Sequence, residues 1–115
     1  MSDLPPLDTN TIWGILNDTI DDSTVNRLIC HYLGYDDKTV DPQWLEAYPE
    51  PPNFIESRPA VVKLTRSIPP ENKQLLKEKL GFGGYTVDQL VPRKTRRATI
   101  ANWLLSYMQQ SAIDL

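Results

Sequence analysis

The sequence predicts an all-α fold, a single compact bundle of about six short helices with irregular, proline-rich connections. Three observations carry that expectation. Apolar residues recur at three- and four-residue spacing in successive stretches, the period of a helix face. Ten prolines divide the 115 residues into short pieces, several of which open with a capping side chain. Only Arg58 to Ile68 also fits a strand, and no second strand exists for it to pair with.

In chain order, Met1 to Leu7 reads as a flexible tail with polyproline character, and residues 8–110 as one helical domain. Asp8 or Asn10 caps a first helix that turns Ile12, Trp13, Ile15 and Leu16 inward. Asp22 or Ser23 caps a second, with Val25, Leu28, Ile29, Tyr32 and Leu33 on one face and Gly34 as its stop. Asp41-Pro42, a cap followed by proline at the first helical position, opens a third carrying Trp44, Leu45 and Tyr48. Pro49-Glu50-Pro51-Pro52 is a stiff extended connector. Arg58 to Ile68 is read as helix on Val61, Leu64 and Ile68. Pro69-Pro70 starts another helix with Leu75, Leu76 and Leu80 apolar and Gly81 as its cap. Thr86 to Gln89 is a T-x-x-Q capping box on a short helical turn. The last helix runs from about Arg93 to Gln110, leaving 111–115 as a C-terminal tail.

Composition narrows the function classes. At 40% hydrophobic and 23% charged the chain is globular, not disordered. Cys30 is the only cysteine, so no internal disulfide forms and a reducing, cytoplasmic compartment is expected. No apolar run approaches the ~20 residues of a membrane span, and the opening MSDLPPLD has no basic–apolar signal pattern. His31 is the only histidine. It and Cys30 point about 100° apart on a helix, so they make no nucleophile–base dyad. Two such ligands also fall short of a zinc site. The segment Asp36 to Asp41 lacks the glycine and glutamate of a calcium loop. Gly81-Phe82-Gly83-Gly84 follows a helix instead of a strand and lacks the G-K-[ST] of a phosphate cradle. The expectation is a protein that is not an enzyme, with no cofactor and no metal.

Charge is the sharper signal. Residues 1–57 hold eleven acids against two bases, a balance of −9, and residues 58–115 hold ten bases against four acids, a balance of +6. On the last helix, Ile100, Trp103, Leu104, Tyr107 and Met108 form an apolar stripe. Thr95, Thr99, Asn102, Ser106 and Gln109 form an uncharged polar back. Toward the helix start the stripe is continued by Arg93, Arg96 and Arg97, with Lys94 beside them. Positive charge at a helix N-terminus is disfavoured by roughly 0.3–1 kcal/mol per group, so an anion is expected there. The candidates are the chain's own acids (Asp18, Asp21, Asp22, Asp36 or Asp37), an acidic partner protein or small anion, and nucleic acid. An isoelectric point near 5.0 counts against the last. Lys73 and Lys77, one turn apart, read as a solvated cationic ridge.

The strings IWGILNDTIDDSTVNRLICHYLGY, YPEPPNFIESRPA, VKLTRSIPPENKQLLKEKLGF and PRKTRRATIANWLLSYM resemble a family of cyanobacterial and plant-plastid proteins catalogued as a domain of unknown function. The resemblance spans about Leu4 to Met108. It implies a photosynthetic lineage and supplies no activity, cofactor or catalytic residue. The expected function is therefore recognition of an unidentified protein partner, in the cytoplasm or, if plastid-borne, the stroma. Nucleic-acid or small-anion binding by Arg93, Lys94, Arg96 and Arg97 is the alternative.

Overall fold

One long helix organises the chain. The computed structural model describes residues 4–36, 38–86, 88 and 91–111. Among them lie six α-helices: α1 (Thr9–Leu16), α2 (Asp22–Leu33), α3 (Pro42–Ala47), α4 (Arg58–Ser67), α5 (Leu75–Leu80) and α6 (Pro92–Gln110). No strand occurs among the described residues. The architecture is all-α, and α6 packs against α1, α2, α4 and α5.

That central position explains the composition of α6. Ile100, Ala101, Leu104, Leu105 and Met108 are buried, but so are Asn102 and Ser106 of the expected polar back. Thr95 and Gln109 at the two ends of that back stay exposed, but its middle is covered by neighbouring elements, so the polar groups there must bond internally. Asn102 accepts from the Leu76 amide (3.2 Å) and donates to the Asn72 carbonyl (3.0 Å). Ser106 accepts from Asn72 Nδ2 (3.1 Å). These bonds fasten the start of α5 to α6.

Local chemistry sets most helix ends. Asp8 and Asp41 cap α1 and α3 through the amides of Thr11 and Gln43, and Ser57 caps α4. The ambiguous segment is helical, with Ala60, Val61 and Leu64 buried. Gly34 ends α2 at φ 101°, with Tyr35 donating to the Cys30 carbonyl and Gly34 to that of His31, a Schellman closure. Gly81 closes α5 at φ 71° in the same manner.

Three local expectations change. The cap of α2 is Asp21, ahead of both Asp22 and Ser23, because the Asp22 carboxylate is drawn to arginines of α6. The Pro70–Leu80 helix is split into a 3-10 turn, Pro70–Asn72, and α5, since buried Asn72 is held by α6. Leu45 lies 43% exposed beside buried Trp44 on the one-and-a-half turns of α3. Gln89 lies outside the described residues, and Thr86 donates to Asp88.

The connector after Pro52 is core and not merely spacer. Phe54 and Ile55 are buried, and Asn26 on α2 grips the segment like a strand partner. Its amide donates to the Pro52 carbonyl (3.1 Å) while its carbonyl accepts from the Phe54 amide (2.8 Å).

Candidate functional site

The arginines that open α6 meet the chain's own acids. Arg93 and Arg97 are one turn apart and so share a face. Arg93 forms a bidentate fork with Asp18 (Nη1 to Oδ2 2.9 Å, Nη2 to Oδ1 2.6 Å) and donates Nε to Asp22 Oδ2 at 2.7 Å. Arg97 donates Nη1 to Asp22 Oδ1 at 2.7 Å, Nε to the Ile15 carbonyl at 3.1 Å, and Nη2 to the Ile20 carbonyl. Its side chain is 1% exposed, against 30% for Asp18 and 39% for Asp22.

Each part of this ring sits where backbone electrostatics favour it. Ile15 is in the last turn of α1, whose carbonyls lack intrahelical donors. A guanidinium there satisfies one and complements the negative helix end. Tyr85 donates to the neighbouring Leu16 carbonyl (2.9 Å). Asp22 stands in the first turn of α2, where a carboxylate is favoured. Asp18 adopts a left-handed φ of 63° just after α1, a conformation aspartate tolerates better than most residues. The hydrogen bond from Arg93 lowers the Asp18 pKa from its usual value. Burial works to raise that of Asp22, but hydrogen bonds from Arg93 and Arg97 leave it lowered. The same ring raises the pKa of Arg93.

The remaining residues expected to act here have other roles. Arg96 donates to the carbonyls of Ile55 (2.9 Å) and Glu56 (3.2 Å), tying the connector to α6. Lys94 stands over the Tyr85 ring at 5.8 Å. Asp21 caps α2 and Asp36 pairs with His31 (2.9 Å), so neither joins the arginine ring. Asp37 lies outside the described residues. Thus Arg93, Arg96 and Arg97, read as a partner- or anion-binding cluster, give their donors to the chain itself. Burial pushes the Cys30 thiol up to about 12, which keeps it protonated.

Positive charge without a carboxylate lies elsewhere, on α4 and α5. From Arg58 to Lys79 the chain has six bases and two acids, a balance of +4. None of the six forms an ion pair among the described residues. Lys63 and Arg66 line a hollow beside Trp44, with Lys63 Nζ 5.1 Å from that ring's centroid. Lys73 reaches back to the α4 carbonyl of Thr65 (2.7 Å), one residue before Arg66. Lys73 and Lys77 line a second cleft, of about 400 Å³, between α4, α5 and α6. The sequence shows these lysines as an isolated pair; the Lys73 bond to the Thr65 carbonyl brings Lys73 to the last turn of α4.

A family model described as a domain of unknown function, DUF1823, matches residues 6–109. The chain belongs to the DUF1823 family. A protein whose structure was solved in solution by NMR is similar, with 50% identity and a TM-score of 0.79, over 97% of this chain and 99% of that one. No curated protein matches. For this DUF1823 chain, no described helix is long and apolar enough to cross a membrane.

Proposed function

We propose that this DUF1823 protein is a recognition module without catalytic activity, which binds an acidic segment of a partner protein through α4 and α5. The observation that carries the reading is the set of cations Lys63, Arg66, Lys73 and Lys77, none in an ion pair among the described residues, which line two hollows that meet adjacent residues of α4, Thr65 and Arg66. In a chain of net charge −3, local positive charge left uncompensated steers an anionic partner to one face. The apolar floor of the adjoining cleft favours a peptide over a nucleic-acid backbone, which presents phosphates and no apolar side chain. The protonated Cys30 and the surface placement of His31 agree with a non-catalytic role. A single cysteine suits a reducing compartment, cytoplasmic or stromal.

Fluorescence anisotropy of a labelled glutamate-rich peptide tests this. Arg66→Glu/Lys77→Glu reverses two cations with no ion-pair partner among the described residues, so melting should hold to within about 0.5 kcal/mol while binding weakens at least tenfold. Wild-type affinity should fall as salt rises. A nucleic-acid strand of matched charge that binds more tightly than the peptide would overturn the reading.

A further inference from the structure

The cleft between α5 and α6 has a chemistry of its own. Ile68, Leu76, Phe82 and Ala98 line it together with Lys73 and Lys77, and no carboxylate of the described residues lines it. Its volume of about 400 Å³ is within the range of specific ligand sites. The buried Asn102 that lines it is already bonded at both ends of its amide, so it makes no polar demand on a ligand.

Gly83, on the turn that walls the cleft, is the telling residue. Gly34, Gly81 and Gly84 have φ of 101°, 71° and 97°, where glycine is favoured, and Gly14 lies 2.8 Å from an Ile20 methyl at its Cβ position. Gly83 has no left-handed φ, and a Cβ there meets nothing within 4 Å among the described residues. A glycine at such a position loosens the unfolded chain with no return in the fold. Close approach by a bound backbone gives it a purpose.

Resting on the acidic-partner reading above, we infer that this cleft is the anchor subsite: it seats one bulky apolar side chain of the partner segment. Lys73 and Lys77 hold carboxylates flanking that side chain, and the bare Gly83 lets the partner's main chain lie against the turn. The ligand class is a short peptide with acidic residues on both sides of an aromatic or large aliphatic one.

The test titrates ¹⁵N-labelled protein with an acetylated heptapeptide of six glutamates around a central phenylalanine, and with its central-alanine analogue. The phenylalanine peptide should shift the amides of Lys77, Gly83, Gly84 and Ala98, and the alanine analogue should bind about tenfold more weakly or worse, as burial of an aromatic side chain implies. Gly83→Leu, which fills the open space beside the turn, should weaken the phenylalanine peptide by a similar factor. Its melting temperature should stay at or above wild type, which separates blockage from unfolding. Shifts centred on Trp44 and Lys63, or affinity indifferent to both the phenylalanine and Gly83→Leu, overturn the anchor and leave the electrostatic reading standing. No shift on α4 or α5 at millimolar peptide overturns both.

Discussion

Replacing Arg97 with alanine is the perturbation most directly tied to the fold. The side chain is buried and donates to the Asp22 carboxylate and to the carbonyls of Ile15 and Ile20. Removing one member of a buried ion pair costs about 3–5 kcal/mol, because the other is left uncompensated. Asp22 is 39% exposed and keeps Arg93, so water and that partner recover part of the loss. The two carbonyls each lose a donor worth about 1 kcal/mol. A net cost of about 3–4 kcal/mol is a large share of the roughly 5–15 kcal/mol available to a domain of this size. At about 4 °C per kcal/mol, circular dichroism on heating should show melting roughly 12–16 °C lower. Arg96→Ala is the internal comparison. It withdraws a donor only from the carbonyls of Ile55 and Glu56, which should cost about 1–2 kcal/mol. If the two variants melt together, the arginine–aspartate ring is not what closes the two halves of the chain.

Three further outcomes are expected. Asp18 and Asp22 have lowered pKa values in the fold, so their contribution is complete above the unfolded value near 4 and is lost as pH falls through the folded values. Melting should therefore drop below about pH 4 in wild type. In Asp18→Asn/Asp22→Asn it should start lower at neutral pH and decline less steeply on acidification. Asn102→Ala should cost about 2–3 kcal/mol in urea unfolding, since the Leu76 amide and Asn72 carbonyl lose their partner; a cost near zero would mean that α5 is held by its apolar contacts alone. Gly34→Ala should cost about 2–4 kcal/mol by the same measurement, because φ is 101° and the added Cβ would lie 2.7 Å from the Val40 backbone nitrogen.

Legibility followed the range of the interaction. Asp8 capping the Thr11 amide, Asp41 before Pro42, and Gly34 and Gly81 at helix stops all act within a few residues, so residue type alone announces them. The arginine cluster was visible as charge on the wrong side of a helix, but its partners were not. Five acids were candidates, and Asp18 and Asp22 differ from Asp21 and Asp36 only in where the ends of α1 and α2 place them. Asn102 and Ser106 misled for a related reason: periodicity places them on a polar face and cannot tell solvent from a second packed helix.

From the residues alone came helices with most of their termini, an acidic half facing a basic half, and an unmet positive charge at the start of α6. These depend on neighbours along the chain and on counting. Only the folded arrangement decided which charges were consumed and which stayed free. Arg93 finds Asp18 across 75 residues, and that choice is made by the packing of α1 and α2 on α6. It buries Arg97 and pairs the half-exposed Arg93, while Lys63, Arg66, Lys73 and Lys77 have no carboxylate partner among the described residues; a guanidinium already bonded to a carboxylate has little field left to offer.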